Sequence, residues 1–478
     1  MIQLRSLIKD ISVYGVSEFL NRSVQVLFLP IIFTYLSTSE FGTLDLFLTT
    51  KNIISVIFGW GMITAVQRFG GIKTEENYSL EEVITACFLV VIAIDLLLGV
   101  IFYFGYAILI ETDIISFLLV LGISSFYSLR SIILGVLRLK HKAKAFLLVT
   151  LVNIIIYLLG TYILIKLTDL SYLAFLIAGL IGITFSFLLG LILIKGYIKI
   201  KVHKDLLKSI FKFGASLLST ALIVIFVASS NRYALGLFGQ SLDEVGILGM
   251  SNRLSLFVGA LLVAPFTLAW LPFVNENYMK DNFRDMVSTV FKAVVVVGIF
   301  LSVILIMVGY PILSYLEKDS YINSMLIAPF FCFSYIFQAG YYIFSSSFYI
   351  HEQNKLYVKS AAFVFIVNIL MLSLIIPVTN YITVSVVTMI TYLGQMLFAY
   401  FYSSRTFKLS STDKIKLICY LLINGLLMSA IIYAYEFSLN IDLIIAVTVS
   451  VLCMFIFVTY FIFRKELKQN SFLIKNLS

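Results

Sequence analysis

The chain has 478 residues, 61% of them hydrophobic and only 12% charged, and its mean hydropathy is +1.04. A composition this apolar excludes a water-soluble globular protein. The net charge of +9 does not indicate nucleic-acid binding, because the cations are sorted along the chain rather than gathered into one patch.

A helix needs about 20 apolar residues to cross the hydrocarbon core of a bilayer. Spans are read in chain order near 11–36, 43–66, 83–105, 114–137, 146–165, 171–194, 213–237, 246–274, 290–310, 322–350, 357–377, 382–403, 415–435 and 442–463. The fold class is therefore an all-α integral membrane protein of about 14 transmembrane helices. Alternate gaps carry the positive charge. On one side lie Arg5 and Lys9, Arg68 and Lys73, the Arg138–Lys144 cluster, the Lys195–Lys212 connector, Lys280 to Lys292, Lys355 and Lys359, Arg405 to Lys416, and the tail from Arg464. Roughly 27 of the 34 cations fall there, against Lys166 and Lys318 in the opposite gaps. The positive-inside rule then places both termini in the cytoplasm, and the protein is expected in the cell inner (plasma) membrane.

Cys87, Cys332, Cys419 and Cys453 lie in apolar spans without metal-ligand spacing and read as packed thiols. His141, His203 and His351 sit at the basic face, where solvated side chains are expected. No phosphate-cradling Gly-rich loop with its Lys is found, so direct use of nucleotide is not expected. The outward gaps are too short to hold a catalytic domain. No catalytic residue, metal or cofactor is expected, and the protein is read as a non-enzyme. Glu18 and Arg22 interrupt the first apolar segment, which also lacks the small-residue cleavage site of a signal peptide.

Two halves repeat one plan. Leu7-Ile8-Lys9-Asp10-Ile11-Ser12-Val13-Tyr14-Gly15-Val16-Ser17 is echoed by Leu206-Leu207-Lys208-Ser209-Ile210-Phe211-Lys212-Phe213-Gly214-Ala215-Ser216. Glu40-Phe41-Gly42 is echoed by Glu244-Val245-Gly246, and Val152-Asn153-Ile154 by Val367-Asn368-Ile369. Three echoes in the same order indicate duplication. Six spans per copy is an even number, so the repeats are expected to be parallel about an axis along the membrane normal, with a central cavity between them. The expected domains are an N-terminal six-helix lobe over 1–195, a basic cytoplasmic linker over 196–212, a second six-helix lobe over 213–405, and two additional helices with a basic tail over 406–478.

Tyr14-Gly15, Leu20-Asn21-Arg22, Leu29-Pro30 and Tyr35-Leu36-Ser37, leading into Glu40-Phe41-Gly42, resemble the Wzx-type flippases of the multidrug/oligosaccharidyl-lipid/polysaccharide (MOP, MATE-like) exporter superfamily. Val367-Asn368-Ile369 through Ile375-Ile376-Pro377 resembles the Asn-then-Ile-Pro stretch of that group's eleventh span. Thr379 to Ser385 departs from the pattern by lacking its glycines. The resemblance covers nearly the whole chain. It implies alternating-access transfer of an undecaprenyl-diphosphate-linked oligosaccharide, such as an O-antigen or capsular repeat unit, to the outer leaflet. It further implies membrane lipids and polysaccharide polymerase or ligase machinery as partners, a monomer, and no nucleic acid.

The charges inside spans are the candidate site. Each costs about 2.5–3.5 kcal/mol near the bilayer centre, so a lipid-facing position is disfavoured. Arg22, Lys51, Arg130, Arg232 and Arg253 are candidate cavity cations for a diphosphate, and Glu18, Asp95 and Asp45 are candidate ion-coupling groups or charge partners. A guanidinium suits phosphate because it stays charged and donates in a planar fork. The simpler alternatives are a self-neutralising Glu18–Arg22 pair, a solvated Asp45, and snorkelling by Arg232 and Arg130. Asp95 is either a proton or cation site or a partner for one of these cations. Pro30, Pro265 and Pro272 are candidate hinges, static bends being the alternative.

A multidrug cation antiporter of the same superfamily would call for acids and aromatics rather than arginines. A peptidoglycan lipid-precursor flippase is the nearest alternative within the flippases. A polymerase would need a substantial outward loop.

Overall fold

A computed structural model of the protein describes residues 28–71, 78–109, 113–198, 203–238, 241–315, 319–375, 378–437, 450 and 454–460. The described residues contain no strand. The helices are α1 (Leu29–Tyr35), α2 (Thr38–Gly59), α3 (Met62–Gly71), α4 (Leu80–Leu109), α5 (Ile114–Leu139), α6 (Ala143–Leu167), α7 (Leu173–Ile194) and α8 (Lys204–Phe238). They continue with α9 (Leu242–Val258), α10 (Ala264–Asn277), α11 (Phe283–Tyr315), α12 (Asp319–Ile350), α13 (Asn354–Ile375), α14 (Tyr381–Tyr402) and α15 (Ser411–Phe437).

Among the described residues, 11 helical stretches are long and apolar enough to cross a membrane, and they coincide with the second to twelfth expected spans. The protein is a multi-pass membrane protein. Of the first span only α1 is described, and of the fourteenth only residues 450 and 454–460. The thirteenth is α15. Leu96, Leu97, Leu374 and Leu426, each more than 60% exposed, present the apolar surface that a bilayer would cover.

Local chemistry fixes the helix ends. At α2, Ser37 Oγ accepts from the Glu40 amide at 3.3 Å while Glu40 Oε2 accepts from the Ser37 amide at 2.8 Å, a reciprocal cap. Ser79 and Glu82 repeat the device before α4, and Asn380 and Thr383 before α14. Between α2 and α3 the backbone turns left-handed at Trp60 (φ 44°) and Gly61 (φ 68°). Glycine tolerates that conformation at Gly61, where a Cβ would also meet Leu217 Cδ1 at 3.0 Å.

The chain forms two compact units, Met1–Gly246 and Ile247–Ser478. In the first, α4 packs on α5, α5 on α7, α6 on α7, and α2 on α5. In the second, α11 packs on α12, α12 on α14, α13 on α14, and the segment Gly259–Val263 with α10 on α12. By span number these are the same four pairings, so the packing repeats as the sequence does. Asn153 in α6 lies against Gly182 of α7, and Asn368 in α13 donates from Nδ2 to Thr391 Oγ1 of α14 at 3.2 Å. Within each unit the echoed asparagine of a fifth span thus faces a sixth. Repeat and compactness part company at α8, which opens the second repeat but packs on α2, α3 and α4 of the first unit.

Gly259–Val263 is a π-helical turn, with the Ala264 amide reaching back to Gly259 O. It lies just ahead of Pro265, whose missing N–H would orphan a carbonyl of the preceding turn, and the wider turn redistributes those bonds. Pro272 stands inside α10, Pro311 inside α11 and Pro329 inside α12, while Pro30 sits in the first turn of α1, where it costs no hydrogen bond. Cys87 and Cys332 are fully buried thiols. Cys419 is exposed on α15, so the reading of every cysteine as packed does not hold there. Helix periodicity turns that side chain outward from an apolar span, a distinction that hydropathy alone does not make.

Candidate functional site

In the first unit α2 lies between α5 and α8. Lys51 and Asp45, six residues apart, point to different neighbours. Toward α5 the contact is close and polar. Ser124 Oγ lies 3.3 Å from Lys51 O and Ser128 Oγ 3.5 Å from Ser55 O, one helical turn further on, and both serines are buried. Small side chains at i and i+4 let two membrane helices approach.

Beside this seam are Lys51, Tyr127 and Arg130. Lys51 Nζ stands 4.7 Å from the centroid of the Tyr127 ring, and the Arg130 guanidinium carbon stands 5.8 Å from the same centroid. One aromatic quadrupole therefore attracts both cations. Lys51 Nζ also donates to Asn52 Oδ1 at 3.0 Å. Arg130 is only 4% exposed and donates from Nη1 to Ser186 Oγ at 3.4 Å, while Ser186 Oγ itself donates to Val149 O at 2.7 Å. Arg130 Nε is buried without a hydrogen-bond partner. Among the described residues no carboxylate forms an ion pair with either cation. Tyr127 is 41% exposed, whereas Arg130 behind it is buried. At about 1.5 Å per residue, Lys51 is about 20 Å along α2 and Arg130 about 14 Å from the end of α5, well inside both helices. The group therefore holds two cations at that depth, with the Arg130 Nε donor unsatisfied.

Toward α8 the charges are neutralised. Arg232 Nε donates to Asp45 Oδ2 at 2.6 Å, and Arg232 Nη1 to Ala228 O at 3.2 Å. The Thr50 and Tyr233 hydroxyls share a hydrogen bond of 2.7 Å. Asp45 is thus buried and paired, and Arg232 is engaged by it, which is neither the solvated nor the snorkelling alternative. Asp95 lies in α4 with Oδ1 buried and without a hydrogen-bond partner among the described residues. Arg253 is buried in α9 and belongs to the second unit, where its neighbour Asn252 accepts from the Tyr335 hydroxyl at 3.4 Å. Glu18 and Arg22 lie outside the described residues.

The structure therefore brings together Lys51 with Arg130, and Asp45 with Arg232. Sequence reading missed Tyr127 and Ser186. The i, i+3 spacing of Tyr127 and Arg130 on one face of α5 was a legible signal. Ser186, 56 residues away, left none.

The fold has known counterparts. The lipid II flippase MurJ in an inward closed conformation superimposes with a TM-score of 0.74, covering 95% of this chain and 99% of that one at 17% identity. An inward-facing MATE-family multidrug resistance transporter of the MOP superfamily gives 0.61 at 14% identity, covering 84% of this chain and 96% of that one. An outward-facing one gives 0.54 at 14% identity, covering 86% and 96%. The chain has the fold of the MOP exporter superfamily. No family model matches the sequence. No curated protein matches it either. These structural counterparts are transporters rather than enzymes, and at such identities they speak for the fold alone.

Proposed function

We propose that the protein is a flippase that moves an undecaprenyl-diphosphate-linked oligosaccharide from the cytoplasmic to the outer leaflet of the cell membrane by alternating access. The observation that supports it best is the Lys51–Tyr127–Arg130 group. It is an intramembrane pair of cations with open donors and no described carboxylate partner. A diphosphate supplies the missing negative charge and accepts from a guanidinium in its planar fork. A cationic drug would be repelled from the same place. The glycan would be a surface-polysaccharide repeat unit, with a polymerase or ligase taking it up outside. A peptidoglycan precursor, the cargo named for one structural counterpart, is the second reading, because it presents the same diphosphate chemistry to these cations.

The test is transfer of purified lipid-linked glycan in proteoliposomes. Losing one charge-assisted hydrogen bond is worth about 1.5–3 kcal/mol, so Arg130→Gln should slow transfer by about tenfold or more. Lys51→Gln should act in the same direction, and Arg130→Lys should recover only part of the rate. Lys166→Gln, at an exposed position, serves as control. Parental rates in folded Arg130→Gln and Lys51→Gln proteins would overturn the assignment. Running lipid II beside undecaprenyl-diphosphate oligosaccharides separates the two substrate readings.

A further inference from the structure

Gly42 in α2 and Gly246 in α9 are the equivalent glycines of an echoed motif, and the structure brings them into contact. A Cβ on Gly42 would lie 2.1 Å from Leu242 O and 2.9 Å from the Gly246 amide nitrogen. A Cβ on Gly246 would lie 2.0 Å from Thr38 O and 3.2 Å from the Gly42 amide nitrogen. Thr38 precedes Gly42 by the same four residues by which Leu242 precedes Gly246, so each helix offers the other the same surface. That reciprocity belongs to a contact on a two-fold axis. Only glycine allows two helix backbones this close.

Polar contacts surround the crossing. The Thr38 hydroxyl donates to the Asp243 carboxylate, the Arg232 guanidinium to Asp45, and the Thr50 hydroxyl meets that of Tyr233. Together they occupy about 18 Å of α2. The charge pattern assigns this end of α2 to the outside. A seam that never opened inside a membrane could be packed with apolar side chains at no loss of stability, because buried ion pairs gain little over well-packed hydrophobic residues. Hydroxyls and charges, by contrast, can be handed to water when two surfaces part.

The helix that carries Arg232 and Tyr233 is also lightly covered by the rest of the protein. Only 12% of the membrane stretch of α8 is buried, against 50% for α5. Its inner end is fixed differently. Trp60 Nε1 donates to Phe211 O at 3.0 Å, the two rings stack at 5.0 Å, and a Cβ on Gly214 would strike Trp60 O at 2.3 Å. We propose that the Gly42–Gly246 crossing is an outer seal that parts in each transport cycle, with Asp45–Arg232 as its latch. What passes through the seal rests on the flippase reading; the seal itself does not.

The experiment uses the full chain in membranes, with Cys87, Cys332, Cys419 and Cys453 replaced. Thr38→Cys with Asp243→Cys provides a cross-link across the seal. Leu46→Cys, one turn further into the membrane on α2, provides a reporter read by peptide mass mapping after an impermeant maleimide is added outside. Oxidation should form the cross-link, slow reporter labelling by about tenfold and stop glycan transfer, with reduction restoring both. The double variant Asp45→Asn with Arg232→Gln, without the cross-link, should raise reporter labelling. Failure of the cross-link to form, or its formation with labelling and transfer unchanged, would overturn the proposal. Labelling that responds in a protein that moves no glycan even when reduced would leave the seal standing and remove the flippase reading.

Discussion

The Asp45 carboxylate and the Arg232 guanidinium, 187 residues apart in sequence, meet at 2.6 Å with side chains 7% and 15% exposed. Each offsets part of the other's cost of burial. Arg232→Gln alone should therefore destabilise the protein by about 3–5 kcal/mol, because it leaves a buried carboxylate without its cation. Asp45→Asn with Arg232→Gln should recover most of that loss, since no charge then remains. Thermal unfolding of the purified protein in detergent checks both. A double variant no more stable than the single one would show that the pair is not what holds this seam.

The proposed orientation rests on the charge pattern. Asp169 lies exposed in the turn between α6 and α7, and Ser209 lies exposed in the first turns of α8, beside the basic connector. In a background without native cysteines, impermeant maleimide added outside the cell should modify Asp169→Cys and spare Ser209→Cys. The reverse pattern would invert the assignment, and the seal at Gly42 would then face the cytoplasm.

A pH dependence is expected at the foot of α15. Asp413 accepts from Lys292 Nζ at 2.5 Å and from Ser288 Oγ at 2.8 Å, which ties α15 to α11. Burial alone would raise this carboxyl, but the hydrogen bonds from Lys292, Ser288 and Ser410, with the Lys292 charge, hold it below the ordinary carboxylate value. A depressed folded-state value means that the contribution is present above the unfolded value of about 4 and is lost as pH falls through the lower folded value. Asp413→Asn should therefore lower the unfolding temperature at pH 7, and its gap to the parent should narrow as pH drops below about 4. A gap of equal size at pH 7 and pH 3 would exclude the linkage.

The spans and the duplication were legible because both are written in periodic apolar patterning and in residues that permit close packing. The two echoed glycines are the clearest instance: equivalent in sequence, they prove adjacent in space. Partnerships among the charges were not legible. Asp45 with Arg232, and Lys51 with Arg130, join helices far apart in the chain, and hydropathy does not encode which faces meet. The attachment of α8 to the first unit was hidden for the same reason. The repeat makes it the first helix of the second half, while Trp60, Gly61 and Gly214 fit it against the end of α2.

The energy source follows from the proposed substrate. A diphosphate carries about two negative charges and the cell interior is electrically negative, so outward movement is downhill by about 4.6 kcal/mol per 100 mV if both charges cross the full field. Binding to Lys51 and Arg130 does not alter that difference, because the empty protein returns to its starting state. Charge carried back by the protein or by a counter-ion does enter the cycle, and we propose Asp95, with one buried carboxylate oxygen lacking a described hydrogen-bond partner, as a group that carries it. In proteoliposomes, a potential positive on the receiving side should accelerate glycan transfer, and the opposite potential should slow it. Asp95→Asn should leave that dependence intact while abolishing any response to a proton or sodium gradient. Transfer indifferent to potential and to both gradients would make the protein a passive scramblase and defeat the driven-transport account.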